Sequence, residues 1–580
     1  MPPLSADAGM VRVEVAVKSI VLFTPVVGEQ QKQKRQILDN DSFDKNGTDI
    51  LGRWIDKAIS NLEETHREAL LRQLDSGVAR ELGTMCSGTE APVCVYRAVQ
   101  LAAKKHDIDF TFVHKFGCDK DPTVRRFIKA VFGKQHVPKL FKDVADVASK
   151  SGFAPDAMQE DDQPTAVPLI RELVAGFPCK DVSSLLFGAH KNRAVIKDGA
   201  ARTGGIFSRI LEFLALHPEV ESLLLENVVG LAAKASGQDH SNLDWCVALL
   251  NKFGFWVMVF KLDPRMFGMP VSRGRLWLVC IKKTILTDVG ISDEEATQLA
   301  KKMMQDIVND QPWRRMEDFL LPEDHPIIRR ALDRSSTKNL QKTKQGKYSK
   351  LPAWAGKYAD FVDSPSATGR SSKAAATFPK AMSWYDPVHP PDYIVDAFPH
   401  LAQLSDQHFT VLAAHGIHVT SDEAMQARSN RTCEVTQTVA RTRASNPGEA
   451  SIVLPNGKLY LESRGRPAVG HEGLLLQGLH FANGHDLLQE FTSDELQNLA
   501  GNAFNSYCMS AAFLIKEGVI GIARSRQHSS SSSTAPALAS KIPLIHETET
   551  DETGADETGA QQAAAWKRAK KHSLSDVLSF

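Results

Sequence analysis

The sequence lacks three features that would each place it in a familiar class of proteins. It has no net charge, because 69 basic residues balance 69 acidic ones, and this argues against a protein whose whole surface binds polyanions. No uninterrupted apolar run approaches the ~18 residues of a membrane span, so no membrane partner is expected. The eight cysteines include no CxxC pair, so neither a metal site nor a disulfide framework is predicted.

The N-terminus also lacks a basic segment ahead of an apolar stretch, so no signal peptide is expected. The cysteines are then expected to be free thiols of a soluble protein in a reducing, intracellular compartment. What is present is an ordinary globular composition, with 42% hydrophobic and 24% charged residues. The length predicts roughly two to four domains at ~150 residues each.

Short apolar runs alternate with segments of helical periodicity between residues 80 and 285. The runs predicted as buried strands are Phe110–Val113, Ser222–Leu225, Phe255–Phe260 and Leu276–Ile281. The segments predicted as helices are Val93–Ala103, Phe207–Leu216 and Leu243–Phe253. Strands that alternate with helices favour βαβ units, so an α/β fold with a doubly wound, mostly parallel sheet is predicted.

Three other segments are interpreted more simply. Ala154–Pro164 is acidic and contains proline, which favours a surface loop. The run Val11–Phe23 is strand-like, and Ile50–Leu74 has the periodicity of one amphipathic helix.

Three short motifs carry reactive or charged side chains at the ends of predicted strands. Cys179 directly follows a proline after a largely apolar run, which is where an α/β sheet can present a nucleophile. Glu226 ends an apolar strand as part of Glu-Asn-Val. Arg273 and Arg275 lie two residues apart at the start of a later strand, so both are expected on one face.

This order of motifs, Pro-Cys, then Glu-Asn-Val, then Arg-x-Arg, resembles the C5-cytosine methyltransferase family. Further motifs of that family can be followed from about residue 80 to residue 520. They are Cys86–Pro92, Phe116–Asp121, Arg202–Phe207, Arg466–Leu479 and Leu499–Phe504. The resemblance implies a Rossmann-like S-adenosylmethionine-dependent methyltransferase domain with a smaller target recognition domain inserted into it.

The resemblance also implies which residues bind S-adenosylmethionine. The residues assigned to this site are Ser87, Gly88, Thr89, Asp119, Asp143 and Asn502. The first three would hold the methionine part through backbone groups, at the carboxyl ends of the strands. Asp119 would bind the ribose hydroxyls and Asp143 the adenine amine. Asn502 belongs to a Gly-Asn motif whose helix would pack against the turn at Cys86–Pro92, called the cofactor turn below.

The catalytic residues that the resemblance implies are Cys179, Glu226, Arg273 and Arg275. Carbon 5 of cytosine is a poor nucleophile, and a thiolate that adds at carbon 6 makes it enamine-like. Cys179 fits that step, although an unperturbed thiol of pKa ~8.5 is only a few per cent ionised at neutral pH. Protonated Glu226 would hydrogen-bond the ring N3 and the exocyclic amine. Arg275 would contact the base O2, and Arg273 would hold the site's carboxylate and loop.

Nine Lys or Arg residues and one acidic residue lie between Arg329 and Lys357, in the region where the family carries its recognition domain. Contacts from these side chains to phosphates would give an affinity for double-stranded DNA that falls with salt. The target base would be flipped out, because the ring cannot be attacked inside the duplex stack.

These assignments divide the chain into an N-terminal extension (1–78), two parts of the catalytic domain (79–285 and 466–522), the recognition domain (286–465) and a tail (523–580). The tail carries a serine run, a repeat of Asp-Glu-Thr-Gly-Ala and a basic cluster at Lys567–Lys571. Its composition predicts disorder, and the basic cluster favours a location in the nucleus.

The predicted activity is methyl transfer to cytosine C5 in DNA, and two alternatives stay open. One is methylation of transfer RNA, although the Cys-Phe-Thr tripeptide usual in that branch is absent from the sequence. The other is a nucleic-acid-binding relative with little or no turnover. Three departures keep it open. Gly88 is the only glycine of the usual aromatic-x-Gly-x-Gly turn, Lys180 stands where Gln or Asn is common, and Val271 replaces a Gln.

Overall fold

The computed structural model describes residues 23–24, 47–183, 194–234, 238–333, parts of 401–450, 451–480 and 487–532. Its strands, in chain order, are β1 (Arg80–Met85), β2 (Phe112–Cys118), β3 (Leu140–Phe141), β4 (Phe153–Pro155), β5 (Pro164–Ala166), β6 (Glu172–Ala175), β7 (Ser222–Val228), β8 (Phe255–Leu262), β9 (Arg275–Lys282), β10 (Thr432–Glu434), β11 (Leu459–Leu461) and β12 (Arg466–Pro467).

The α-helices are α1 (Gly47–Asn61), α2 (Glu64–Leu74), α3 (Ala91–Lys104), α4 (Pro122–Val131), α5 (Gly133–His136), α6 (Val144–Val147), α7 (Ala201–Leu216), α8 (Asn242–Lys252), α9 (Lys283–Thr287), α10 (Asp293–Val308), α11 (Gly470–Leu475), α12 (Ser493–Asn502) and α13 (Ser506–Ser532). Short 3₁₀ helices are Glu160–Asp162, Val229–Ala232, Pro264–Phe267, Met316–Phe319, Glu462–Arg464 and Leu487–Glu490.

Seven strands form the central sheet in the order β3-β2-β1-β6-β7-β9-β8. All neighbouring pairs are parallel except those that β9 makes with β7 and β8. The chain builds outward in one direction from β1 and in the other from β6, so the strand order reverses between them. The carboxyl ends of strands at such a reversal form the usual ligand crevice. The predicted doubly wound, mostly parallel α/β sheet is confirmed.

The reversed strand β9 brings its first residue to the same edge of the sheet. In the antiparallel register, Val228 at the end of β7 lies opposite Arg275 at the start of β9, and Glu226 lies opposite Trp277. Both strands are long because apolar side chains fill nearly every position, as expected for a strand buried on both faces. Strands β7, β8 and β9 exceed the predicted apolar runs by two or three residues, since their polar ends also pair. Strand β2 begins two residues later than the run predicted at Phe110–Val113 and continues to Cys118.

The predicted single helix at Ile50–Leu74 is two helices, α1 and α2. Both helices pack in the main hydrophobic core, which also includes residues of the central sheet, and they do not form a separate unit. The indole of Trp54 donates to the Phe267 carbonyl at 3.1 Å and packs edge-on against Tyr507. The predicted strand that ends at Phe23 lies outside the described residues, apart from Phe23 and Thr24, and Phe23 bridges to Phe260 in β8.

Helix α13 crosses the core and extends beyond the predicted domain end at 522. By length and composition the segment Ser493–Gln527 could span a membrane, but 94% of its most apolar window is buried in the fold, as in a core helix. The prediction of disorder is wrong for residues 523–532, which continue α13. The Arg524 guanidinium donates to the Gln73 side chain at 3.2 Å, so this end is tied to α2. The rest of the tail, with its basic cluster, lies outside the described residues.

The recognition domain predicted for 286–465 is described only in part. Its first helix, α10, packs with the catalytic core, so the insertion begins after α10. Strands β10, β11 and β12 form a separate three-stranded sheet, and β10 and β11 contribute side chains to a small hydrophobic cluster that includes Leu412 and Tyr460. Most of the basic stretch, from 334 to 357, lies outside the described residues. The acidic segment predicted as a loop, Ala154–Pro164, is largely the connection between β4 and β5, and only its two ends pair in the hairpin.

Candidate active site

The loop that carries Cys179 is fixed on both sides of the thiol. Before it, the Asn227 amide donates to the Phe177 carbonyl at 3.0 Å and ties the loop to the end of β7. After it, the Asp181 carboxylate accepts from the Thr203 backbone N–H at 2.7 Å and from its hydroxyl at 2.8 Å, at the start of α7. Cys179 is partly exposed, so the loop presents a held thiol at the carboxyl edge of the sheet.

Glu226 and Arg275 form an ion pair beside this thiol. Arg275 Nε lies 3.0 Å from Glu226 Oε1, and the two side chains are only 15% and 13% exposed. The pairing follows from the register, because β9 starts where β7 ends. A largely desolvated pair of this kind is held in one geometry more firmly than a surface pair.

Arg273 makes different contacts from those predicted for it. Its guanidinium is buried and donates to three backbone carbonyls, those of Val453 at 3.0 Å, Gly501 at 2.9 Å and Ala503 at 2.9 Å. The prediction that Arg273 holds the carboxylate of Glu226 is wrong, because Arg275 makes that contact. Strand β9 begins at Arg275, so the two arginines do not share a strand face.

The charges of this group shift one another's ionisation. Burial and the nearby Glu226 carboxylate raise the pKa of Cys179, while Arg275 and Arg273 oppose the rise. Burial likewise raises the pKa of Glu226, against the two arginines. The thiol is therefore mostly protonated at neutral pH, and the protonated form of Glu226 is easier to reach than that of an exposed glutamate.

We expect alkylation of Cys179 to respond in opposite directions to the loss of its two charged neighbours. Glu226→Gln removes a negative charge and lowers the pKa of the thiol, so iodoacetamide should label Cys179 faster at a given pH. Arg275→Ala removes a positive charge and should slow labelling. Peptide mass spectrometry across a pH series measures both rates, with Cys94, whose pKa burial raises to about 12, as the internal reference. Equal shifts in one direction would contradict this electrostatic account.

The cofactor turn follows β1 and packs against the end of α12. Gly88 has φ +66°, and a Cβ at this position would lie 3.3 Å from the Asn502 carbonyl oxygen. The Asn502 side chain bonds within its own helix, to the Asn498 carbonyl at 2.9 Å. The predicted contact between the Gly-Asn motif and the turn is therefore present, and the backbone of Asn502 makes it.

The residues around this turn fit a polar ligand. The hydroxyls of Ser87 and Thr89 are buried, and neither has a hydrogen-bond partner among the described residues. Such orphaned groups are rare in folded proteins and indicate a missing partner. Asp119, directly after β2, accepts from the Asp121 backbone N–H at 2.9 Å. Burial raises its pKa to about 7, and the Asp121 and Gly88 backbone N–H groups oppose that rise.

Asp143 occupies a more ordinary position than predicted. Its carboxylate caps α6 through the Ala145 backbone N–H at 3.0 Å and pairs with Lys120 at 2.7 Å. Burial opposes ionisation, but the bonds from Lys120 and Ala145 outweigh it and lower the pKa of Asp143. It lies after β3 at the same edge of the sheet, as predicted, with both oxygens already engaged.

Three further residues of the site were not singled out from the sequence. They are Asn227, Asp181 and Thr203, which hold the Cys179 loop. Asn227 lies inside the Glu-Asn-Val motif, and Thr203 lies in the Arg-Thr-Gly-Gly motif. Their roles depend on which loops meet, and the motifs alone do not reveal that.

A doubly wound sheet with a crevice at the carboxyl ends of its strands is the architecture of the Rossmann-like methyltransferases, and at this edge the chain presents a thiol, a carboxylate and a guanidinium. A model of the family described as C-5 cytosine-specific DNA methylase matches residues 118–477. This is more than half of the chain, and the chain belongs to that family.

Two curated relatives are similar over most of this chain. The DNA (cytosine-5-)-methyltransferase DMT5 of Cryptococcus neoformans var. grubii is 26% identical over 451 residues, which are 77% of this chain and 17% of that protein. DMT5 of Verticillium dahliae is 23% identical over 518 residues, 80% of this chain and 20% of that protein. The chain thus spans about a fifth of the length of these relatives.

Among solved structures, the Dnmt2 methyltransferase of S. pombe matches 75% of this chain and 98% of its own. The sequence identity is 10% and the TM-score is 0.36. A likeness at this level supports no residue-by-residue correspondence.

Proposed function

We infer that this protein transfers a methyl group from S-adenosylmethionine to carbon 5 of a flipped cytosine in double-stranded DNA. The observation that carries the proposal is the convergence of Cys179, Glu226 and Arg275 at the carboxyl edge of a sheet whose crevice also presents the cofactor turn. Family membership supports the same chemistry. A thiol, a protonatable carboxylate and a cation are what addition to a pyrimidine ring requires.

In the proposed reaction the Cys179 thiol loses its proton to solvent, the thiolate sulfur bonds to carbon 6, and the ring electrons move toward carbon 5. Glu226 in its protonated form donates to N3 and stabilises the charge that develops there. S-adenosylmethionine, when bound, would supply the electrophilic methyl group to carbon 5 and leave as S-adenosylhomocysteine. After methyl transfer a base removes the carbon 5 proton, the sulfur–carbon 6 bond breaks, and the thiolate leaves. Arg275 holds Glu226 in place throughout and lowers the pKa of the attacking thiol.

The residues proposed to hold the cofactor are Ser87, Gly88 and Thr89 in the turn and Asp119 beside it. The orphaned hydroxyls of Ser87 and Thr89 support this assignment. Asp143 and the backbone of Asn502 border the same crevice. Because an ionised carboxylate accepts hydrogen bonds from ribose hydroxyls through both oxygens, and more strongly than a protonated carboxyl does, Asp119 should make cofactor binding depend on pH.

We expect the affinity for S-adenosylhomocysteine to rise as the pH increases through about 7, the value to which burial raises the pKa of Asp119. Below that pH the carboxyl is protonated and loses an acceptor. Calorimetric titration over a pH series measures the effect, and Asp119→Asn should weaken binding and remove the pH dependence. A pH-dependent affinity that persists in Asp119→Asn would show that another group is responsible.

The substrate class is tested by supplying labelled S-adenosylmethionine together with either duplex DNA or transfer RNA. We expect 5-methylcytosine in the hydrolysed DNA and none in the RNA. The Cys179→Ser variant should give none with either substrate, while Cys94→Ser, which alters a thiol in helix α3, should keep activity. Label in transfer RNA alone would favour the RNA alternative. No label in either, from a folded protein, would favour the non-catalytic relative.

A further inference from the structure

The cofactor turn contains three residues in the left-handed conformation, and only one of them is glycine. Cys86, Gly88 and Glu90 have φ values of 52°, 66° and 53°. Residues with a Cβ adopt this conformation at a cost in energy, and such residues cluster at ligand-binding sites. In the aromatic-x-Gly-x-Gly pattern of the family, the second glycine would stand at position 90. This chain has a glutamate there.

The Glu90 side chain is completely buried under the turn. The Thr84 hydroxyl in β1 donates to its two oxygens, which lie 2.8 and 3.0 Å away. His114 Nε2 in β2 lies 3.6 Å from Oε2. The carboxylate therefore connects the turn to the two strands whose carboxyl ends border the cofactor crevice.

The space for this carboxylate exists because residue 117 is glycine. A Cβ on Gly117 would lie 2.7 Å from Glu90 Oε1, which is closer than atoms can approach without displacement. Glu90 is also the N-cap of α3, yet its side chain makes no capping hydrogen bond. The carboxylate of Glu90 therefore contacts the two strands and does not cap α3.

We propose that Glu90 is a positioning residue that replaces the missing glycine and holds the cofactor turn in its ligand-binding conformation through Thr84 and His114. The proposal rests on the proposed use of S-adenosylmethionine. The turn that Glu90 closes contains the Ser87 and Thr89 hydroxyls, which lack partners among the described residues, and its Gly88 backbone N–H bonds to Asp119. If the contacts of Glu90 with Thr84 and His114 are lost, these groups of the turn no longer face one ligand together.

The test is calorimetric titration of the whole chain with S-adenosylhomocysteine. We expect Glu90→Gly to weaken binding about tenfold or more, the effect of losing hydrogen bonds to a charged group. Glu90→Gln keeps an oxygen acceptor for Thr84 and should recover part of the affinity. DNA affinity and the turnover rate at saturating cofactor should change little, while the KM for S-adenosylmethionine rises. A general loss of structure would lower cofactor affinity, DNA affinity and the turnover rate together.

Gly117→Ala tests the same contact from the other side. It should weaken cofactor binding in the wild-type background and add no further loss to Glu90→Gly, because its effect acts through the carboxylate. Gly52→Ala is the matched control, since a Cβ there meets ordinary contacts at 3.5 Å. Additive losses, or Glu90→Gly binding within twofold of wild type, would overturn the inference and leave the proposed function standing. Wild type that does not bind S-adenosylhomocysteine would overturn both.

Discussion

Glu226→Gln is expected to slow methyl transfer by about 10²–10⁴-fold, the usual contribution of a positioned general acid. Glutamine has nearly the same shape and can donate a hydrogen bond from its amide, but it cannot transfer a proton to the ring N3 as charge develops there. The burial that raises the pKa of Glu226 makes the protonated form available in the wild type. Single-turnover transfer from labelled S-adenosylmethionine to DNA measures the rate directly.

The matched control for this variant is Glu221→Gln, which changes a carboxylate just before the opposite end of the same strand. Glu221 pairs with Arg171 at 3.1 Å and with Arg524 at 3.4 Å, on the edge away from the crevice. Its replacement should leave the single-turnover rate within about threefold of wild type, as expected for exposed ion pairs of small energy. A Glu226→Gln enzyme as fast as this control would contradict the role of Glu226.

Arg273→Leu is expected to cost about 3–5 kcal/mol of stability, because three buried carbonyls lose a charged donor at once. The carbonyls belong to Val453, Gly501 and Ala503, so one side chain joins the segment between β10 and β11 to the end of α12. The thermal midpoint should fall by about 5 °C for a folded core of this size. Cofactor affinity should fall as well, since Gly88 packs on this same end of α12.

Arg275→Leu is the comparison for that prediction. Arg275 donates to one carbonyl, that of Gly274 at 2.9 Å, and pairs with Glu226, so its loss should lower the midpoint less and the methyl-transfer rate more. Loss of Arg273 would then act mainly on stability, and loss of Arg275 mainly on the methyl-transfer rate. Equal effects on both measurements in both variants would contradict the division that their contacts indicate.

The sequence alone predicts β7, β8 and β9 well because these strands are apolar at nearly every position, whereas β1 and β3 are not predicted and the run Phe110–Val113 overlaps β2 by two residues only. Ser222–Leu225 and Leu276–Ile281 are recognisable as strands without any knowledge of their neighbours. The division of labour between Arg273 and Arg275 is not predictable in the same way, since the carbonyl partners of Arg273 lie 180 to 230 positions further along the chain. Only the fold brings them together.

Two predicted element boundaries are wrong for related physical reasons. The periodicity of Ile50–Leu74 continues through a break at residues 62–63, because α1 and α2 bury their apolar faces in the same core. Helix α13 passes the point at which the composition turns polar, since its buried part fixes the helix and Arg524 secures the exposed end. Glu90 was missed because a buried carboxylate looks like a departure from a motif until its partners in two strands are known.

The central claim is that Cys179 forms a covalent bond to cytosine. The most direct measurement uses duplex DNA that contains 5-fluorocytosine, because fluorine at carbon 5 prevents the proton loss that releases the enzyme. We expect a denaturation-resistant adduct that requires S-adenosylmethionine, that peptide mapping locates at Cys179, and that Cys179→Ser abolishes. An adduct at another cysteine, or its absence from wild-type protein that binds both DNA and cofactor, would contradict the account.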